Sequence, residues 1–279
     1  MTANAATTIP TVHVVACGYS LPPIRIRTAM QRIGRQLGVG FRGVIVDNGS
    51  HDLLEADDNW VNIRGSNREQ EFSAYVEGVD ALREDGLSPA SVLFINDSTF
   101  NRHNAKGILK ELVRYVAAIE DISTPCIVGK ADDYNSICYM NPWSNLLLYV
   151  STFCFLLNRG AVPLIIEVVR GADLALGSKD VDISTKAWGA GLDYRFREYL
   201  RSHLSHPGLP TSWYQLPTHI SNRQLINQKM RCVYLEHKLS GEVGREGLIF
   251  SIFPTPRSKL EFVLLEQIAK LSRAFGRSW

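Results

Sequence analysis

The sequence has no excess of charge of either sign. Its 279 residues include 30 Lys and Arg against 28 Asp and Glu, which gives a formal net charge of +2. A general nucleic-acid binder carries a clear excess of Lys and Arg, because most of its contacts are to phosphates. The near balance therefore argues against nucleic acid as a partner. The length allows one large α/β domain with an accessory segment.

The patterns of disulfide-rich and zinc-binding proteins are also missing. The five cysteines are odd in number, widely spaced and mostly embedded in apolar runs. No histidine pair has a metal-ligand spacing such as H-E-x-x-H. We therefore expect a protein of a reducing cytoplasm, without a disulfide framework or a zinc site.

Three signature motifs of common α/β enzymes are absent. The first apolar run is followed by ACGYSLPP rather than G-x-G-x-x-G, and neither G-x-x-x-x-G-K-[ST] nor G-x-S-x-G occurs. These absences argue against a dinucleotide enzyme, a P-loop ATPase and a serine hydrolase with a nucleophile elbow.

Only one apolar stretch approaches the length of a membrane span. Residues 145–166 are largely apolar, but Asn158 and Arg159 interrupt them and Pro163 follows. The clean run from Leu146 to Leu157 is shorter than the roughly 20 residues that a spanning helix needs. We predict a buried core helix there. Residues 1–11 lack the features of a signal peptide and are expected to be a disordered lead.

Short apolar runs alternate with helical patterns in the first half of the chain. The runs cover 12–18, 41–50, 91–98 and 124–133, and helical periodicity covers 24–37, 68–83 and 105–119. This alternation predicts a doubly wound, mostly parallel sheet flanked by helices. In such sheets ligands bind beyond the carboxyl ends of the strands, where this sequence places Gly, Asp, Asn and Ser.

The last segment, 251–279, has the pattern of an amphipathic basic helix. Its apolar stripe comprises Leu260, Val263, Leu264, Ile268, Leu271 and Phe275, with Arg257, Lys259, Lys270, Arg273 and Arg277 around it. We expect the stripe to pack on the helix's own domain or on a second copy, with an anionic membrane surface as the alternative.

Two motifs in order carry a resemblance to a known family. VIVDNGSHD (44–52) is followed about fifty residues later by VLFINDS (92–98), within a βαβ frame. Over residues 12–165 the sequence resembles GT-A glycosyltransferases, above all family-2-type enzymes. The NDS triplet is similar to that of bacterial rhamnan-synthesis-type transferases, and residues 63–79 resemble the segment beside the donor nucleotide.

The resemblance implies a GT-A, Rossmann-like domain over 12–250, with a donor half at about 12–135 and an acceptor half at about 136–250. It implies a hexosyl- or deoxyhexosyltransferase of polysaccharide or lipopolysaccharide biosynthesis. Such an enzyme moves a sugar from a nucleotide-sugar donor to a hydroxyl of a cell-surface glycan or lipid-linked glycan. It would be cytoplasmic, and peripheral at the inner face of the membrane if the last helix binds lipid. A nucleotidyltransferase making an NDP-sugar and a non-catalytic sugar- or nucleotide-binding module are the alternatives.

The donor-binding candidates follow the predicted strands. Tyr19 can stack on a base, and carboxylate and amide groups can bond to ring N–H groups, ribose or phosphate. The set comprises Tyr19, Asp47, Asn48, Arg64, Asn67, Asn96, Asp97, Ser98 and Lys130. DNGS is also good turn chemistry, and Asn96 and Ser98 could simply cap the following turn.

Ser98 stands where the family commonly has a metal-binding acid. A hydroxyl is a poor sole ligand for Mg²⁺ or Mn²⁺. We therefore expect no required cofactor, or a metal held weakly by Asp97 and the donor diphosphate. Without metal, basic side chains or helix N-termini must stabilise the leaving diphosphate. The basic candidates are Arg64, Arg68, Lys130, Lys186, Arg195 and Arg197.

The candidate general bases are Asp132 and Asp133, just past a predicted strand, with Asp97 as a further catalytic candidate. An exposed acidic loop is the alternative for the pair. Residues 139–160 resemble the acceptor-side helix of the same transferases, and Trp143 could stack on an acceptor sugar. Core packing is the alternative for Trp143.

Overall fold

The computed structural model describes residues 10–134, 137–179, 181–183, 185–205, 223–253 and 255–274. Its strands are β1 Thr11–Gly18, β2 Gly40–Asp47, β3 Trp60–Arg64, β4 Ser91–Asn96, β5 Cys126–Asp133, β6 Leu148–Asn158 and β7 Leu248–Ser251. Its helices are α1 Pro23–Leu37, α2 Glu71–Glu84, α3 Ser98–Arg102, α4 Ala105–Glu120, α5 Val162–Arg170, α6 Ala172–Leu176, α7 Tyr194–Ser205, α8 Arg223–Glu246 and α9 Pro256–Ala274.

The strands of the described residues form one sheet in the order β3-β2-β1-β4-β6-β5-β7. β6 is antiparallel to both of its neighbours, β4 and β5, whereas the other neighbouring pairs are parallel. The carboxyl ends of β1, β2, β4 and β5 therefore meet at one edge. The predicted α/β class, with a mostly parallel sheet and a helix near the C-terminus, is confirmed.

The strands are continuous apolar runs because helices cover both faces of the sheet. Along β1, Val14 and Ala16 join a buried cluster with residues of α1 and α4, while Val15 and Cys17 join a second cluster with residues of α2. Gly78 allows α2 to lie close to β1, since a Cβ there would be 2.3 Å from a methyl carbon of Val15. This packing holds the polar strand ends in fixed positions.

The predicted core helix within residues 145–166 is wrong. Residues 148–158 form β6, and the next helix, α5, begins only at Val162. The interpretation of residues 139–160 as an acceptor-side helix fails with it. A strand covered on both faces is apolar throughout, so its periodicity matches that of a buried helix. The β-branched and aromatic residues between Val150 and Phe155 favour the strand.

The C-terminal helix is present, but it packs through a different face from the predicted one. Phe262 and Glu266 are buried, whereas Leu260, Leu264 and Leu271 are exposed. Phe275 and Arg277 lie outside the described residues. Within the described part of the chain, no helix has both the length and the apolar character needed to cross a membrane.

Candidate functional site

A cleft of about 890 Å³ lies at the edge of the sheet where the parallel strands end. The sheet side of the cleft is built by residues at or near the ends of β1, β2, β4 and β5. The opposite side is built by α7 and α8, which contribute Tyr199, His203, Lys229, Cys232, Glu236 and His237. The predicted location of the ligand site coincides with this cleft.

Most of the predicted site residues meet in the cleft. Its lining includes Tyr19, Asn48, Asn67, Asn96, Asp97, Ser98, Lys130, Asp132 and Asp133. Asp47, Arg64 and Trp143 are not part of that lining.

Asp47 is fully buried and its carboxylate is used by the protein itself. Oδ1 accepts from the backbone N–H of Gly49 at 3.1 Å, and Oδ2 accepts from that of His51 at 2.8 Å. The His51 ring lies 2.8 Å from Oδ1, and Arg64 pairs with Oδ2. Asp47 therefore fixes the turn after β2, and Arg64 neutralises the Asp47 carboxylate.

Trp143 belongs to an aromatic cluster behind the cleft. Its ring makes edge contacts with Phe196 at 5.1 Å and Tyr234 at 5.8 Å, and Lys238 lies above it at 4.6 Å. This arrangement matches the core-packing alternative for Trp143.

Two amide oxygens of the cleft lack partners. Asn48 Oδ1 and Asn67 Oδ1 are buried and have no hydrogen-bond partner among the described residues. The Asn48 amide group donates to the carbonyl of Gln70 at 3.0 Å, and both Asn67 and Gln70 have φ of 51°. Buried polar groups nearly always have a hydrogen-bond partner, and a positive φ is unusual in residues other than glycine. Both features are concentrated at functional sites.

The NDS triplet forms part of the cleft wall through its own hydrogen bonds. Oδ2 of Asp97 accepts from the backbone N–H groups of Tyr19 at 3.0 Å, Ser20 at 2.5 Å and Leu21 at 3.0 Å. The Ser20 hydroxyl adds a fourth bond at 2.8 Å. Asn96 accepts from both the backbone and the hydroxyl of Ser98, so the predicted turn-capping alternative describes this pair.

These bonds leave the triplet poorly suited to a divalent metal. Asp97 Oδ1 is the one carboxylate oxygen of the triplet without a partner among the described residues, and the Ser98 hydroxyl is engaged. Across the described ranges, no three His, Cys, Asp or Glu side chains form a group that could hold a metal ion. One carboxylate oxygen can hold Mg²⁺ or Mn²⁺ only weakly, with donor phosphates and water completing the shell, so the expectation of no metal or a weakly held one stays a prediction.

Basic side chains approach the cleft from both sides. Lys130 lies on the sheet side, and Lys229 on α8 donates to the Gln70 side-chain oxygen at 2.9 Å. Arg102, on α3, also lines the cleft. The other predicted cations, Arg64, Arg68, Lys186, Arg195 and Arg197, do not belong to the lining.

The two predicted general-base candidates, Asp132 and Asp133, differ in environment. Asp132 accepts from Lys130 at 2.7 and 2.9 Å and from the Ser151 hydroxyl at 2.5 Å. Asp133 is 71% exposed and lies 3.5 Å from the ammonium of Lys259. The predicted acidic pair is therefore split into one carboxylate inside the cleft and one at its rim.

Glu236, on α8, was not predicted. Its Oε1 accepts from the backbone N–H of Thr152 at 2.8 Å. Burial, with a smaller contribution from the nearby Asp132 carboxylate, raises the pKa of this carboxyl group to about 8, although the Thr152 bond opposes the shift. No motif marks Glu236 in the sequence, because only the packing of α8 across the sheet brings it to the cleft.

An uncharged aromatic wall lies beside these carboxyl groups. The His237 ring is 3.8 Å from the Tyr149 ring, and its nitrogens meet the hydroxyls of Tyr134 at 2.7 Å and Tyr199 at 3.3 Å. Burial lowers the pKa of His237 well below its ordinary value, so the ring stays neutral. His237 and Tyr199 are almost fully buried, so the half-buried Tyr149 ring is the part of this wall that a bound sugar could contact.

No protein-family profile matches the chain, and no curated protein matches it in sequence. The interpretation of the cleft therefore depends on its own chemistry and on the two motifs that resemble GT-A transferases.

Proposed function

We propose that this protein is a glycosyltransferase that moves a sugar from a nucleotide-sugar donor to an acceptor hydroxyl, with a cell-surface glycan as the acceptor class. One observation carries the proposal. A single cleft at the sheet edge combines an exposed aromatic ring, two unpartnered amide oxygens, cations from both walls and a group of carboxyl groups. A nucleoside diphosphate sugar needs each of these chemistries.

The nucleoside would lie against the β1 side of the cleft. Tyr19 is 61% exposed, and Asp97 holds its backbone N–H, so the loop keeps an exposed aromatic ring at the cleft for a base to stack on. Oδ1 of Asn48 and Oδ1 of Asn67 are buried without a partner among the described residues, so each would turn toward the cleft to accept a hydrogen bond from a base ring N–H or a ribose hydroxyl. The cleft volume falls within the roughly 300–1,000 Å³ of typical ligand sites.

The diphosphate would lie beside Lys229 and Lys130, and Lys130, which already pairs with Asp132 at 2.7 Å, would be shared between that carboxylate and the phosphate. As the bond from the anomeric carbon to the diphosphate breaks, negative charge grows on the leaving oxygen, and the two ammonium groups stabilise it. The new bond joins the anomeric carbon to the acceptor oxygen, and the hydroxyl proton passes to a carboxylate. No step is assigned to a metal ion.

We assign the general base to Asp132 rather than to Asp133. Asp132 lies inside the cleft beside Lys130, whereas Asp133 is mostly exposed at the rim. Glu236 takes a different role, because a carboxyl group with a pKa of about 8 is largely protonated at neutral pH. In that form it can donate a hydrogen bond to a sugar hydroxyl.

A non-catalytic nucleotide-binding module is the second candidate. The observation that favours it is the use of Asp97 Oδ2 in four bonds within the protein. These four bonds give Asp97 a role in shaping the pocket that does not depend on sugar transfer.

Calorimetric titration of the purified protein with UDP, GDP and dTDP tests the proposed nucleotide site. We expect one of them to bind, and Tyr19→Ala to weaken that binding about 5- to 10-fold through lost stacking. Tyr139→Ala is the matched control, because Tyr139 is 59% exposed and outside the cleft.

A second matched pair tests the amide oxygens. Asn67→Gly removes one of them while tolerating the positive φ, and we expect roughly a tenfold loss of nucleotide affinity. Asn145→Gly is its control, at φ 58° and outside the cleft. The nucleotide site is refuted if none of the three nucleotides binds, or if variants and controls bind alike.

A further inference from the structure

Helix α9 carries an exposed apolar face. Leu260, Leu264, Ile268 and Leu271 are each between 52% and 60% exposed, and Val263 is 51% exposed. Their spacing places these residues along one side of the helix. Single exposed apolar residues are common on soluble proteins, but a contiguous row of this kind marks an interaction surface.

The opposite face anchors α9 to the domain. Phe262 stacks on Phe253 with ring centroids 4.3 Å apart, and Glu266 accepts from the backbone N–H of Asn104 at 3.0 Å. The His103 ring nitrogen lies 3.1 Å from the same carboxylate. Rotating α9 to bury its leucines would break these contacts, so the apolar face points outward in the folded protein.

The charges of α9 identify its partner. The helix sequence contains Arg257, Lys259, Lys270 and Arg273 against two acids, Glu261 and Glu266, a formal charge of +2. Arg257 pairs with Glu261 at 3.0 Å, Lys259 lies 3.5 Å from Asp133, and Glu266 is buried beside His103, so the net positive charge comes from Lys270 and Arg273 in the sequence. Two copies of this helix would bring like charges together. Anionic lipid headgroups instead complement the basic residues, while the acyl boundary accepts the leucines.

We propose that α9 lies in the surface of an anionic lipid bilayer with Leu260, Leu264, Ile268 and Leu271 inserted. The proposal is independent of the reaction in the cleft. It does place the cleft rim near the lipid, because Lys259 of α9 lies 3.5 Å from Asp133 and Glu266 contacts His103, and both Asp133 and His103 line the cleft.

Vesicle co-sedimentation of the full chain tests the proposal. We expect binding to vesicles of phosphatidylcholine and phosphatidylglycerol, and at least tenfold weaker binding to phosphatidylcholine alone. Binding should also weaken as salt is raised, because salt screens the attraction to the headgroups. Failure of the wild-type chain to bind the anionic vesicles would overturn the proposal.

The decisive variant is Leu260→Ser, Leu264→Ser and Leu271→Ser combined, which we expect to lower anionic vesicle binding at least tenfold. Its control combines Leu53→Ser, Leu147→Ser and Leu174→Ser, which alters three exposed leucines outside α9. Equal binding by the two triple variants would contradict the proposal. The proposal would also be contradicted if the wild-type chain were a dimer that binds no lipid and the α9 variant were a monomer. A second copy of the chain would then cover the apolar face. Circular dichroism melting confirms that both variants are folded.

Discussion

Ser20 donates both its backbone N–H and its hydroxyl to a single oxygen, Oδ2 of Asp97. Tyr19 and Leu21 donate their backbone N–H groups to the same oxygen. The acid of the NDS triplet therefore ties the end of β4 to the loop that presents Tyr19. Its primary contribution is to the shape of the cleft.

Asp97→Ala should destabilise the fold and weaken nucleotide binding together. Four buried or partly buried donors lose their acceptor, which we expect to cost about 2–4 kcal/mol of unfolding free energy. Asp97→Asn retains an acceptor oxygen and should recover much of that loss. Urea unfolding and nucleotide titration of both variants measure the two effects. An Asp97→Ala protein with wild-type stability would disprove the anchoring role.

Glu236→Gln should stabilise the protein, and more so at higher pH. The pKa of Glu236 is about 8 in the folded chain, above the ordinary value of about 4.3 in an unfolded one. Between these values the unfolded chain has lost the proton that the folded chain keeps. Wild-type stability therefore falls as pH rises through this window, and the full cost is reached above pH 8.

We expect the advantage of Glu236→Gln in unfolding free energy to grow from near zero at pH 4.5 to about 2–4 kcal/mol at pH 8.5. Glu246→Gln is the control and should show no such trend, because Glu246 lies on the same helix with a side chain that is 70% exposed. Chemical unfolding at several pH values measures both variants. A constant difference across the window would mean that Glu236 does not carry a raised pKa.

Asp132→Asn should lower turnover by roughly 10²–10⁴ while leaving nucleotide affinity within a few-fold, as expected for loss of a general base. Asp133→Asn should keep near-normal turnover, because its carboxylate is mostly exposed at the rim. Steady-state rates and nucleotide titrations of the two variants decide between them. The reverse ranking would move the base to Asp133.

The sheet side of the site could be predicted from the sequence, whereas the helical side could not. Asn48, Asp97 and Lys130 follow apolar runs, and parallel strands present such residues at one edge. Lys229 and Glu236 lie on α8, more than 90 residues further along the chain, and only tertiary packing brings them to the cleft.

Two failures have local physical causes. The sequence predicts a helix at β6 because the second half of the strand, 154–158, is buried on both faces and lacks the alternation that identifies a strand. Asp47 was predicted to face the donor, but its carboxylate satisfies the N–H groups of its own turn. A strand-ending Asp serves either purpose, and the sequence pattern is the same for both.

The most direct test is release of nucleoside diphosphate from a panel of UDP-, GDP- and dTDP-sugars, followed by chromatography with and without excess EDTA. We expect the wild-type protein to hydrolyse at least one donor slowly and to retain most of that activity in EDTA. Lys229→Met should lose most of it, whereas the control Lys186→Met, outside the cleft, should be unaffected. Nucleotide binding without release from any donor would contradict a transferase and leave the binding module. Release that EDTA abolishes and Mn²⁺ or Mg²⁺ restores would contradict the expectation that metal is dispensable or weakly bound.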